Sequence, residues 1–578
     1  MKLLNLIRNN KSSIVLLGLT MTFLSCSDFI DVDTDTDNPT NAPLSLLLSN
    51  IEVNINDVTD YQFYTGTILS VYTHQMTTRE EYDQYGTRVN NILLLNEWNK
   101  IYLTLKNIET LILQGTESGN MVYVGIGQMQ KAYLLSVAVD LFGDVPYSEA
   151  LLLQSGITSP KFDDQKEIYT AIFALIDEAK VNIASDEGPL KPGNDDFFYK
   201  GNTDRWIRFA NTFKLKLYNQ TRLTPDFDQA GFDALIAEDN FFASIEDDFQ
   251  FKQTANLSPT DERNKLFLES YNSTQFGSNV SPWFYEILKG VNPNIHSGNP
   301  DPRMPYYFFN QLADGQFPPD QGNTSTGDPR ADYWDQESGF FSIRFGTVGP
   351  NRDHSVENSV TYPGIFPAGG RYDDNEGGRI NDIMAGATGA PPRPTGIAPH
   401  RILTYDEFLY IEAELIQVNK IGGNVADKLQ QAMEASFAKV DQVVTQNNAP
   451  QTVPKLVGEA PVTTFITNVM TEFAAGSDEK KLEIIMTQKW VATFGDPLDQ
   501  YNDYRRTGYP VLANPIGASP EYQLNNGDGF PLIDSQTTLN GGANAFQQSF
   551  YWPQDELNVN QNAPAQKDPT TYKIFWDN

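Results

Sequence analysis

From Leu94 to Leu113, apolar side chains stand at Leu94, Trp98, Ile101, Leu105, Ile108, Leu111 and Ile112, spaced by threes and fours. With 3.6 residues per turn, that spacing paints one stripe down a helix, and such a helix must bury the stripe against a neighbour. The pattern recurs. Gln128 to Phe142 carries it and stops at Gly143; Gln165 to Ile183 places Ile168, Ile172, Leu175, Ile176 and Ala179 on one stripe; Thr203 to Leu223 does so with Trp206, Phe209, Ala210, Phe213 and Leu217. Further helices are predicted near Tyr405 to Val418 and Leu482 to Phe494. Helices in pairs joined by short turns predict a mainly α fold, a scaffold of tetratricopeptide-like hairpins, although the 34-residue signature of that repeat is not visible.

Between about Phe242 and His400 the character changes to Pro, Gly, Asn and Asp, as in Asn299-Pro300-Asp301-Pro302-Arg303 and Ala390-Pro391-Pro392-Arg393-Pro394. A long loop-rich excursion on a compact scaffold is commonly functional. This one is also rich in aromatics, among them Trp283, Phe284, Tyr285, Tyr306, Tyr307, Tyr333, Trp334, Phe340, Tyr362 and Tyr372. Most of these rings are expected to pin irregular chain to the helices. No Ser-, Gly- or Pro-rich linker divides the chain. The expected layout is one domain over 44–578: helical scaffold at about 44–241 and 401–510, loop-rich region at 242–400, and an extended C-terminal segment at 511–578.

The N-terminus reads as an address. Lys2, Arg8 and Lys11 precede an apolar run from Ile14 to Leu24, and the one cysteine of the chain, Cys26, follows directly. Eleven helical residues at about 1.5 Å each cover roughly half of a ~30 Å hydrocarbon core, so residues 1–25 are expected to be a signal peptide rather than a membrane span. Leucine two before a small residue and then Cys is the pattern of a bacterial lipoprotein box, which makes Cys26 the expected lipidation site. Residues 26–43 are acidic and aperiodic and read as a tether. The alternating aspartates fall short of a calcium loop, because Thr36 and Ala42 stand where Gly and Glu are required.

A net charge of -33 with no basic stripe argues against nucleic acid as a partner. With no second cysteine, stability must come from core burial. The histidines His74, His296, His354 and His400 lack metal-ligand spacing, no Gly-x-Ser-x-Gly elbow is present, and Gly125-Ile126-Gly127 lacks the third glycine of a nucleotide fingerprint. No cofactor and no metal are therefore expected, while a glycosidase carboxylate pair, which has no fixed sequence spacing, stays open as the enzyme alternative. Arg505 and Arg506 are expected to form internal ion pairs, and Asp301-Pro302-Arg303 a turn with a local pair.

Several blocks together resemble the SusD/RagB-like outer-membrane lipoproteins: Lys131-Ala132-Tyr133 with Asp140-Leu141-Phe142-Gly143-Asp144-Val145-Pro146-Tyr147; Trp206 to Leu215; Asp301-Pro302-Arg303 with Tyr306-Tyr307; Leu403 to Glu414; Gln488-Lys489-Trp490 leading to Tyr504-Arg505-Arg506; and Tyr551-Trp552-Pro553. Ser27-Asp28 after Cys26 also resembles the signal that sends lipoproteins of Bacteroidetes to the outer face of the outer membrane. The resemblance implies a cell-surface lid on a SusC-like TonB-dependent transporter, capturing glycan, or alternatively peptide, for uptake; a surface scaffold without small ligand is the remaining alternative. Ligand sites in that family draw on the segment after the first helix and on the central loops. Arg79, Tyr82, Tyr85, Asn90 and Asn91 from the first, with Trp283, Tyr333, Trp334 and Tyr372 from the second, are therefore the candidate ligand contacts. Trp98, Trp206 and Trp490 are assigned to packed faces.

Overall fold

The computed structural model describes residues 42–78, 81–272, 278–319, 332–343, 357–512 and 545–577. The predicted signal peptide, Cys26, most of the tether including its aspartates, and Arg79 lie outside the described residues. Five long helices build the first part of the scaffold: α1 (Leu44–Asp57), α2 (Ile92–Glu117), α3 (Met121–Phe142), α4 (Gln165–Ile183) and α5 (Thr203–Thr221). Short polar side chains start three of them. Asn91, Asp164 and Asn202 each accept backbone N–H groups of the first turn, which otherwise lack partners.

Helix α3 is buried almost all round, and it begins at Met121 rather than near Gln128 because Val122, Val124 and Ile126 are also enclosed. It lies between α2 and α4. The Gly125 and Gly127 pair that fails as a nucleotide motif has its explanation here. A Cβ on Gly125 would lie 2.7 Å from the Ile183 backbone nitrogen in α4, and one on Gly127 3.1 Å from Ile112 in α2. The helix then stops at Gly143, at φ 72°, a conformation that favours glycine. Val145–Pro146 leaves as a short strand paired with Phe162–Asp163.

The second part of the scaffold comprises α7 (Tyr405–Gln417), α8 (Val425–Asn447), α9 (Ala460–Ala475), α10 (Asp478–Ala492) and α11 (Pro497–Thr507), following α6 (Pro282–Lys289) of the excursion. Helix α7 packs on α8 and α10. Buried charge locks the two parts together. Glu414 on α7 accepts Arg222 Nη2 at 2.9 Å, Arg506 Nη2 at 2.9 Å and Asn219 Nδ2 at 2.7 Å. Burial alone would push its carboxyl up, but the Arg506 and Arg222 guanidiniums over-compensate and hold it well below the carboxylate range. Arg505 donates to the Asp140 and Gln548 carbonyls and to Asn502, so both arginines are internal, but among the described residues only Arg506 forms the expected ion pair.

The excursion contains little long-range regular structure. Its strands are short antiparallel pairs: β1 (Met76–Thr78) with β3 (Ser278–Val280), β2 (Phe249–Phe251) with β6 (His400–Leu403), β4 (Asp332–Trp334) with β5 (Phe341–Ile343), and Phe308–Phe309 with Tyr362–Pro363. Aromatic rings fasten it down. Phe284 sits edge-on to Trp490 at 4.8 Å and to Phe494 at 5.0 Å. Arg303, fully buried, pairs with Asp301 at 2.6 Å and donates to Ser436 on α8 and Gln488 on α10. The C-terminal residues return to the end of α3, where Trp552 Nε1 donates to the Asp144 carbonyl and Trp576 Nε1 to Asp140.

Candidate functional site

One face of the excursion brings Trp283, Tyr333 and Trp334 onto neighbouring elements. Strand β1 pairs with β3, placing Met76 opposite Val280. Ser342 of β5 donates its hydroxyl to the Val280 carbonyl at 2.7 Å, which brings the β4–β5 hairpin against β3. Helix α6 follows at once, capped by Ser281, whose Oγ accepts the Trp283 N–H, and started by Pro282 at a first-turn position where its fixed φ costs nothing. The Tyr333 hydroxyl donates to Glu286 on α6 at 3.1 Å, and its ring stands edge-on to Tyr285 and Phe340. Tyr285 and Phe340 stack at 3.8 Å, while the Tyr285 hydroxyl donates to Asp335 at 2.6 Å.

The candidates divide by what their side chains do. Tyr333 and Trp334 are half-buried, each with one part in contact with the core and one part open; Trp334 stands perpendicular to Phe317 at 5.4 Å. Tyr82 is also half-buried, in a turn from Glu81 to Gln84, and its hydroxyl accepts from Asn91 Nδ2 at 2.8 Å. Asn90 is exposed. Asn91 has a structural task, since its Oδ1 caps α2. Tyr85 and Trp283 are buried in the core, Tyr85 at φ 53° with its hydroxyl on His74 and its ring against Tyr72 and Phe546. Tyr372 belongs to a different neighbourhood: its ring meets Tyr306 at 4.9 Å and its N–H donates to Gln451. Trp98, Trp206 and Trp490 are packed, as expected.

Sequence reasoning did not single out the polar atoms beside these rings. Ser278 Oγ, Asn279 Oδ1 and Trp334 Nε1 are buried without a hydrogen-bond partner. Each such group costs about 1–3 kcal/mol until something satisfies it. No local motif marks them: Ser278 and Asn279 pair with Thr78 and Thr77, about two hundred positions away, and Trp334 pairs with Phe341 within its own hairpin.

Other features lie elsewhere. A cavity of about 720 Å³ opens between α8 and α9, lined by Phe437, Val462, Ile466 and Met470 with Gln430 and Glu434. Glu407, Asp496 and Asp499 form a buried carboxylate group with oxygens close enough to hold a metal. Chain cations already stand there: Lys216 contacts Asp499, and Lys489 lies 3.4 Å from Glu407 and 2.7 Å from Asp503. Burial pushes Glu407 and Asp496 up, while Asp499, also buried, is held down by Lys216. The group reads as an internal ion network. Among the described residues, no helix is long and apolar enough to cross a membrane.

A family described as "Starch-binding associating with outer membrane", SusD-like, matches residues 36–527. The chain belongs to the SusD-like family. This family is one of outer-membrane-associated, nutrient-binding proteins that bind carbohydrate as substrate-binding proteins. The fold agrees. A chitin-binding protein superposes with a TM-score of 0.62 at 19% identity, covering 93% of this chain and 100% of the other. A SusD homologue from Bacteroides fragilis gives 0.62 at 18% identity, covering 93% and 99%. A SusD/RagB family protein from Bacteroides thetaiotaomicron gives 0.56 at 19%, covering 90% and 95%. At such identities the likeness speaks for the fold, a mainly helical scaffold of tetratricopeptide-like repeats. No curated protein matches the chain.

Proposed function

We propose that this SusD-like protein captures a glycan on the face formed by β1, β3, α6 and the β4–β5 hairpin, and delivers it to a SusC-like TonB-dependent transporter as its lid. Flat rings stack on the apolar faces of sugars, and a few convergent polar groups fix the hydroxyl edges. The observation that carries the reading is that the half-open rings of Tyr333 and Trp334 stand together on the hairpin that packs against β3. Tyr82 and Asn90 extend the face, and the enclosed Tyr85 and Trp283 support it from beneath. In the cell the protein would be held to the outer leaflet of the outer membrane by lipid on Cys26, facing outwards, with residues 27–43 as spacer.

Oligosaccharides of starch, which the family description names, and of chitin, after the structural neighbour described as a chitin-binding protein, are the first ligands to test. Titration calorimetry should give saturable binding to one class, weakened tenfold or more by Trp334→Ala with little change in melting temperature. Binding confined to peptides would move the protein to peptide uptake. Copurification of the full-length protein with a SusC-like barrel tests the transporter; failure of any such barrel to copurify would contradict the lid.

A further inference from the structure

We propose a second saccharide site, on the scaffold rather than the excursion: the aromatic cleft between α4 and α5. The cleft has a volume of about 400 Å³, within the range of small-ligand sites. Rings from four separate segments line it. Phe173 of α4 lies 4.6 Å from Tyr218 of α5; Phe227, from the loop after α5, stands edge-on to Tyr218 at 5.8 Å; and Phe575, from the C-terminal segment, stands edge-on to Tyr169 at 5.0 Å. Phe173, Phe227 and Phe575 are only half-buried, so each keeps ring surface towards solvent. None of these residues belongs to the face proposed above.

The polar rim is mainly of acceptors. Thr170, Thr221 and Thr224 donate their hydroxyl hydrogens to backbone carbonyls of Lys166, Leu217 and Thr221, which leaves their oxygens with lone pairs towards a ligand. Asp226 and Lys166 approach at 3.4 Å as an exposed pair, weak enough for a ligand to part. Asp228 is tied to its own helix start through the Gly231 N–H. Ring hydroxyls of a sugar would donate to these oxygens while its C–H face lay on the phenyl rings. Aromatic rings with nearby carboxylates also suit a quaternary ammonium. Two lysines oppose that: Lys166 at the mouth, and Lys420, whose ammonium already lies 4.6 Å from the Phe227 ring centre.

The inference shares only its ligand class with the proposed function, and calorimetric stoichiometry separates the two. The purified protein is titrated with maltoheptaose and with chitohexaose, alongside Phe227→Ala, Thr170→Arg and Trp334→Ala. Thr170 is exposed, so an arginine there fills the cleft mouth without removing packing. Two sites per chain are expected, one weakened about tenfold by both Phe227→Ala and Thr170→Arg, the other by Trp334→Ala alone. One site, insensitive to Thr170→Arg, overturns the cleft and leaves the excursion face standing. One site lost with Thr170→Arg and indifferent to Trp334→Ala supports the cleft and overturns the face. Tetramethylammonium binding in place of sugar, abolished by Thr170→Arg, overturns the saccharide assignment.

Discussion

The helical scaffold and the loop-rich excursion bury aromatic side chains in different ways. In the scaffold, Trp206 and Trp490 vanish completely because helical spacing puts them on faces that meet other helices. In the excursion, segments of two to four residues pair as strands, and rings such as Phe284 and Tyr307 reach across to the scaffold to hold them. A periodic element decides burial for a whole stripe at once, whereas short strands decide it ring by ring. That leaves Tyr333 and Trp334 half open beside neighbours that are fully enclosed. The difference separates a closed frame from a surface that keeps ring area open.

The contrast breaks first at the buried charge. Glu414→Ala strands Arg222 and Arg506, and the account expects a loss of about 3–5 kcal/mol in denaturant unfolding. A loss below about 1 kcal/mol would mean that the scaffold is not locked there.

Acidity gives the next largest effect. Burial pushes Asp60, Glu97 and Asp373 up to about 7. Because the folded chain holds these protons more tightly than the unfolded chain, stability should rise as pH falls from above 7 towards about 5, by on the order of a few kcal/mol. Below the carboxylate range the sign reverses, since Glu414 is held low and its pairing is lost on protonation. Calorimetry across pH should therefore show a melting maximum near pH 5, and Glu97→Gln should flatten its neutral side. A melting temperature that falls steadily from pH 7.5 to 5.5 would contradict this.

Gly143→Ala should cost about 1–3 kcal/mol, because the position has φ 72° and a Cβ would lie 2.5 Å from the Tyr572 ring. Asn91→Ala sharpens the comparison most finely. As the α2 cap it should cost about 1 kcal/mol, with ligand affinity changed only as far as Tyr82 is released. A large affinity loss at unchanged stability would return Asn91 to the ligand surface.

The sequence showed most of the frame. The residue spacing places α4 at its observed limits and α5 within two residues, because large apolar side chains mark their stripes. It named no helix at α1, α6, α8, α9 or α11. In α8 the buried stripe includes Ala432 and Ser436 among its larger residues, and α9 is rich in β-branched Val462, Thr463, Thr464, Ile466, Thr467 and Val469, which read equally well as strand. The site was legible only as composition. Tyr85 and Trp334 look alike in a row of letters, and what separates them is Phe546, more than four hundred positions away, closing over the first. Asn91 carried a readable signal as a cap before an apolar stripe.

The most direct test of the account is titration of chitin and starch oligosaccharides into the protein and into its Tyr333→Ala, Trp334→Ala double variant. Saturable binding by the native chain, lost at the excursion face in the variant while its melting temperature stays within a few degrees, is the predicted result. Equal binding by both proteins would contradict it.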